Sequence, residues 1–147
     1  MPEIHQSTVV PYSATQMFEL VENVEAYPQF LPWCERASVL SRSTTVVRVR
    51  LLVRKSRLHY EFTTDNYPQA PHRLELRLVD GPFNRLCGIW GFIDNALGSR
   101  VSLDLEFEFS NRILAATLSP LFKAVTGSMV EAFKTRAIAV YGSRCIA

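Results

Sequence analysis

The sequence predicts an α+β fold in which one curved antiparallel sheet of about six or seven strands wraps a long C-terminal helix. Three observations predict it. Period-two alternation recurs through the middle of the chain, most regularly where Val101, Leu103, Leu105, Phe107 and Phe109 alternate with Ser102, Asp104, Glu106 and Glu108. Near the C-terminus Leu118, Phe122, Val125, Met129, Phe133, Arg136 and Val140 recur at spacings of 4, 3, 4, 4, 3 and 4. Close to the N-terminus, Ser13 and Gln16 stand at capping-box spacing ahead of an apolar stripe.

In chain order, Glu3 to Val10 has Ile, Thr and Val at strand-like density and stops at Pro11. After Ser13, residues Met17, Phe18, Leu20, Val21 and Val24 form one face of an amphipathic helix. Tyr27 to Pro32 is too broken by proline for a long helix and reads as a short helical turn carrying Tyr27, Phe30 and Leu31. From Val46 to Val53, residues Val47, Val49, Leu51 and Val53 alternate with Arg48, Arg50 and Leu52. Leu58, Tyr60, Phe62 and Thr64 alternate with His59, Glu61 and Thr63, and Leu74, Leu76 and Leu78 with Arg73, Glu75 and Arg77. Each such strand has one dry and one wet face, as in an antiparallel sheet covered on one side. Leu86 to Ile93 departs from this: Leu86, Ile89, Trp90, Phe92 and Ile93 fall on both faces, so both are expected to lie against something other than water. Ser119 and Pro120 are expected to supply the cap and the first-position proline of the last helix.

The 147 residues suit a single domain over 1–147, long enough to fold without a disulfide or metal staple. Apolar residues make up 48% and charged residues 20%, which excludes the disordered class. A net charge of +2 is too weak to argue for nucleic acid by itself, and no DNA partner is expected. No stretch approaches the ~18 uncharged apolar residues of a membrane span. Cys34, Cys87 and Cys145 are odd in number and widely spaced, against a disulfide framework or zinc site. The opening Met1-Pro2-Glu3-Ile4-His5 has neither a basic nor an apolar leader region, so a reducing cytoplasm is the expected location.

No constellation for catalysis is present. The sequence has no Gly-x-Ser-x-Gly elbow, dinucleotide fingerprint, phosphate loop or His-Glu-x-x-His. His5, His59 and His72 are far apart, and the last two fall on a polar strand face and in a Pro-rich turn. Asp104, Glu106 and Glu108 line a wet strand face, while Cys34 and Cys87 read as small buried hydrophobes. The expectation is a protein that is not an enzyme, with neither metal nor covalent cofactor.

Apolar surplus and a basic run are the positive signals. Tyr27, Phe30, Leu31 and Trp33 crowd a broken segment, Phe83 follows a Gly-Pro turn, and Ile113 to Val130 carries a single charge, Lys123. A curved sheet that fails to close on its helix leaves an apolar cavity suited to a hydrophobic small molecule. Arg48, Arg50 and Arg54 share a strand face, with Lys55-Ser56-Arg57 in the turn beyond. Such a patch suits RNA phosphates or anionic lipid headgroups at a membrane surface, or simply protects a sheet edge.

Several segments resemble a known family. Val10-Pro11-Tyr12-Ser13-Ala14, Tyr27-Pro28-Gln29-Phe30-Leu31-Pro32-Trp33-Cys34, Leu78-Val79-Asp80-Gly81-Pro82-Phe83 and Phe107-Glu108-Phe109-Ser110-Asn111 together resemble the coenzyme Q-binding START-domain family, from about Pro2 to Tyr141. This is a branch of the polyketide cyclase/dehydrase-like superfamily, and its bacterial members include the ribosome association toxin RatA. The resemblance implies a helix-grip (START/Bet v 1-like) fold around an apolar tunnel. It also implies one of two functions: binding ubiquinone or a similar isoprenoid lipid in support of respiration, or binding the large ribosomal subunit and blocking subunit association. Trp33-Cys34 and Asn84-Arg85 tilt the expectation toward the lipid, with the protein cytoplasmic or peripheral at the inner membrane.

On that expectation the tunnel wall comprises Leu51, Val53, Tyr60, Phe62, Leu76, Leu78, Trp90, Leu103, Leu105 and Phe107. Phe122, Val125, Met129 and Phe133 form its helical side, and Tyr27, Phe30, Leu31, Trp33 and Phe83 its mouth or lid. The Tyr60 hydroxyl is the expected partner of a quinone carbonyl. Ribosome or membrane contact falls to Arg48, Arg50, Arg54, Lys55 and Arg57.

Overall fold

A computed structural model describes residues 3–55 and 57–142. Its strands are β1 (Glu3–Val10), β2 (Cys34–Arg42), β3 (Val47–Lys55), β4 (Leu58–Gln69), β5 (Arg73–Asp80), β6 (Phe83–Asn95) and β7 (Gly98–Phe109). Its helices are α1 (Ala14–Glu22), a 3-10 helix (Val24–Gln29), α2 (Arg112–Gly127) and α3 (Met129–Tyr141). The strands make one antiparallel sheet in the order β1-β7-β6-β5-β4-β3-β2, so consecutive strands pair from β2 to β7, β1 pairs with β7, and β1 and β2 are the two edges. Strands of 12 and 13 residues in β4, β6 and β7 accumulate enough twist to curl the sheet around α2 and α3. The core lies between that concave face and the helices.

The expected capping box is present. Gln16 N donates to Ser13 Oγ at 3.1 Å and Ser13 N donates to Gln16 Oε1 at 3.0 Å. Strand alternation also holds: in β7, Val101, Leu103, Leu105, Phe107 and Phe109 are buried while Asp104 and Glu108 are exposed.

Three expectations are corrected. β2 was not foreseen; it is an edge strand in which Cys34 alone is buried, so it carries no apolar alternation. β6 is covered on one face: Leu86, Trp90 and Phe92 are buried, Cys87 and Ile89 are half-buried on the other side, and Ile93 is 64% exposed there. The last helix starts at Arg112, because the Asn111 side chain accepts from Leu114 N at 2.8 Å. Pro120 therefore lies inside α2 on its exposed side, where water reaches the carbonyl that the missing N–H leaves free. The helix then breaks at Ser128, and the Gly127 carbonyl accepts from Gln6 Nε2 of β1 at 2.6 Å.

The helical tract Arg112–Tyr141 is long and apolar enough to cross a membrane by length and composition, with a mean hydropathy of 1.4 over its most apolar 18 residues. Here Leu118, Leu121, Phe122 and Val125 of that tract are core residues under the sheet. Cys34 is buried as expected, whereas Cys87 lies half-buried on the outer face with its Sγ 3.9 Å from Glu106 Oε2. Cys145 and Ser56 fall outside the described residues.

Candidate ligand cavity

Between the sheet and α2 runs a cavity. It measures about 60 Å³ as room for the centres of water molecules and about 650 Å³ as total empty space including the part open to solvent. In its present shape it admits a few waters, and a ring-sized ligand needs side chains at its wall to give way. Of the residues expected there, Tyr27, Trp33, Leu51, Val53, Tyr60, Phe62, Leu76, Trp90, Leu105, Phe122, Val125 and Met129 line it. Phe30, Leu31, Leu78, Phe83, Leu103, Phe107 and Phe133 do not; they form the packing behind the wall. The Phe107 ring lies 4.5 Å from that of Phe122, and the Phe133 ring 5.4 Å from Tyr27 and 5.3 Å from Trp90.

Two of the residues expected at the mouth or lid are packed inward. Leu31 is fully buried and Trp33 is 8% exposed. Trp33 and Val125 also line a groove on the outer surface with Pro32, Arg54, Lys55, Ala124 and Ser128, so these two residues stand between cavity and solvent. Arg54 N donates to the Trp33 carbonyl at 2.8 Å, tying that wall to the tip of β3.

Sequence reasoning missed Val24, Val49, Thr64, Asn66, Leu86 and Thr126 in the lining. Two of these matter chemically. Thr64 Oγ1 donates to Asn66 Oδ1 at 2.8 Å, and both residues are buried. Carrying the β4 alternation two residues past Thr64 puts Asn66 on the inner face, which is the signal that was available. Thr126 is spoken for, its hydroxyl donating to the Phe122 carbonyl at 2.8 Å.

No charged side chain lines the cavity among the described residues. Burial pushes the phenols of Tyr27 and Tyr60 above their ordinary range and the Cys34 thiol up to about 11, so all three are neutral at pH 7. The Tyr27 hydroxyl donates to the Val21 carbonyl. The Tyr60 hydroxyl has no hydrogen-bond partner among the described residues. Its ring is boxed in by Phe62, Phe83 and Phe122 at 6.0, 6.3 and 6.4 Å. Such a wall is uncharged and mostly apolar.

The basic strand is a different surface from the one its sequence suggests. Arg48, Arg50 and Arg54 do share the outer face of β3, but each meets a carboxylate: Asp65 at 2.8 Å, Glu61 at 3.8 Å and Glu35 at 3.1 Å. Lys55, Arg57 and Lys123 have no ion-pair partner among the described residues. Lys55 and Arg57 border a shallow groove with Leu58, Pro120, Leu121 and Ala124, and Lys123 is exposed on α2 beside it.

Comparison with known proteins gives a consistent picture. Residues 10–134 match the family model described as polyketide cyclase / dehydrase and lipid transport. The ribosome association toxin RatA of Pseudomonas aeruginosa is 41% identical over 142 residues, covering 95% of this chain and 97% of that protein. RatA of Escherichia coli K12 is 37% identical over 145 residues, covering 98% and 92%. A mitochondrial coenzyme Q-binding protein, COQ10 homolog B of Xenopus laevis, is 30% identical over 95% of this chain and 59% of its own length. Among solved structures, an 18 kDa protein of Caulobacter crescentus is 30% identical with a TM-score of 0.76, covering 97% of this chain and all of that one. The Zhui aromatase/cyclase from Streptomyces has a TM-score of 0.83 at 14% identity, covering 97% and 99%, a likeness of fold alone. The helix-grip architecture is thus the one expected. Of the two functions implied by the sequence, the ribosomal one has the stronger support.

Proposed function

The chain belongs to the polyketide cyclase/dehydrase and lipid transport family, and from that premise we propose that it is a ribosome-associating binding protein of the RatA type rather than an enzyme. The observation that carries this reading is that the likeness to RatA proteins of two bacteria spans nearly the full length of both partners. Docking on the large ribosomal subunit in the bacterial cytoplasm is the activity it entails. The surface best suited to ribosomal RNA is the one where Lys55, Arg57 and Lys123 have no acidic partner among the described residues, since free cations are what phosphates recruit. Pelleting purified ribosomes with the full chain tests it: the chain is expected in the pellet at low salt and in the supernatant at high salt. A chain that stays in the supernatant at every salt concentration overturns it.

A second reading is favoured by one observation, the neutral apolar cavity. On this reading the protein holds an uncharged lipid, ubiquinone or another isoprenoid, whose burial contributes about 25 cal/mol per Å² less the costs of ordering. The two readings are compatible, because cavity and cationic groove are separate features. Organic extraction and mass spectrometry of the purified protein test it. A stoichiometric quinone supports it; an empty protein that also takes up no added quinone overturns it.

A further inference from the structure

The inner face of β4 presents Tyr60, Phe62, Thr64 and Asn66 in succession to the cavity. Its pairing with β3 runs without a register shift from Val53↔Tyr60 to Val47↔Asn66, so these four residues share one face. Six residues of strand set Tyr60 and Asn66 about 20 Å apart along it. The Tyr60 end adjoins the surface, because Val53 pairs with Cys34 beside Trp33. Asn66 lies at the opposite end.

Asn66 is 6% exposed and Thr64 is 4% exposed. Thr64 spends its proton on Asn66 Oδ1, which fixes the amide and leaves Nδ2 with no partner among the described residues. Asn66 lines the cavity, so the cavity is the space from which an acceptor for that N–H can come. The Tyr60 hydroxyl, the anchor expected from sequence, is also without a partner among the described residues. Its ring is enclosed by aromatic rings, however, and no neighbouring side chain among the described residues orients it as Thr64 orients Asn66.

We propose that Asn66, oriented by Thr64, is the polar anchor of the cavity and takes the carbonyl oxygen of a ligand whose apolar part lies along Phe62, Leu51 and Leu105 toward Trp33. The proposal rests on the second reading above and assigns the ligand's polarity and direction. The ligand is an uncharged molecule with a hydrogen-bond acceptor at one end and a hydrocarbon body, and it enters acceptor first.

The test uses the full chain and two probes, decylubiquinone and decylbenzene, which both carry a decyl tail on a six-membered ring, the first with carbonyl and methoxy oxygens as acceptors and the second with none. Each is titrated by displacement of 1-aminoanthracene from the wild type and from Asn66→Leu, Thr64→Val and Tyr60→Phe. The expected result is a loss of about tenfold in decylubiquinone affinity in Asn66→Leu. A smaller loss is expected in Thr64→Val, decylbenzene loses no affinity in any variant, and circular dichroism certifies that all are folded. If Asn66→Leu binds decylubiquinone as the wild type does, or if Tyr60→Phe alone weakens it, the anchor is misassigned while the lipid reading stands. If neither probe enters the wild type, the lipid reading and the anchor fall together.

Discussion

Arg48 grips Asp65 on the adjoining strand, Nε to Oδ1 at 2.8 Å and Nη2 to Oδ2 at 3.1 Å. The most basic strand in the chain thus carries its countercharge beside it, and Arg50 and Arg54 repeat the pattern with Glu61 and Glu35. A nucleic-acid phosphate reaching any of the three meets a charge already partly offset by a carboxylate. This geometry moves the expected ribosome contact from the strand to its tip and the adjoining face of α2.

Charge reversal separates the two surfaces. Arg50→Glu with Arg54→Glu is expected to leave ribosome pelleting at low salt within about threefold of wild type, the scale of an exposed ion pair. Lys55→Glu, Arg57→Glu and Lys123→Glu together are expected to remove most of the binding and to lower the salt slope by roughly one for each phosphate no longer neutralised. The reverse ranking places the contact on the strand.

Gly88 gives a way to fill the cavity without touching its polar groups. A Cβ at this position collides with Leu105 Cδ2, the far end of a flexible side chain that lines the cavity. Gly88→Ala is expected to displace that chain into the void, at a stability cost of about 1–3 kcal/mol. Displacement titration with 1-aminoanthracene checks it: binding drops several-fold while the thermal midpoint moves by a few degrees. Unchanged binding contradicts the assignment of the void as the binding space.

Tyr60→Phe removes a buried hydroxyl that has no partner among the described residues. The ligand-free variant is expected to be as stable as the wild type or more so, by up to about 1 kcal/mol in urea unfolding. A destabilisation of about 1 kcal/mol or more indicates that the hydroxyl has a partner in solution.

His5 supplies a pH-dependent contact between β1 and β7. Its Nδ1 lies 2.7 Å from Asp104 Oδ1 and its Nε2 lies 3.2 Å from Glu3 Oε2, and hydrogen bonds to these carboxylates, Asp104 first, hold its pKa above 6.5. A raised pKa means the protonated form favours the fold. The contribution is therefore complete below the unfolded value near 6.5 and is lost as pH rises through the folded one. NMR titration is expected to place His5 above 6.5 in wild type and to bring it back toward that value in Asp104→Asn. A curve that does not move contradicts the pairing.

The fold was legible in the sequence where burial imposes a period. β3, β5 and β7 each bury one face. β4 does so except that Thr63 of its outer face is buried and Leu58 at its start is exposed. Ser13 and Gln16 start α1 by their own hydrogen bonds. β2 was illegible because an edge strand with one buried residue needs no apolar alternation. The start of α2 was misplaced because Pro120 mimics a first-turn proline, while the true cap is the side chain of Asn111, eight residues earlier than Ser119. The apolar wall followed from periodicity, and the same alternation in β4 turns Thr64 and Asn66 inward. Their role in the lining was not legible because both are residue types usually met at the surface. Likewise, a row of arginines shows its charge in the sequence and conceals its carboxylate partners, which come from other strands.

The measurement that bears most directly on the central claim is subunit joining. Separated small and large ribosomal subunits are mixed with increasing amounts of the full chain, and reassociation is followed by light scattering and by sucrose-gradient profile. The expected result is a dose-dependent loss of joined ribosomes with the chain migrating alongside the large subunit, and recovery when Lys55, Arg57 and Lys123 are reversed. Unimpaired joining, with the chain left at the top of the gradient, contradicts the ribosomal reading and leaves the cavity and its ligand as the function of this protein.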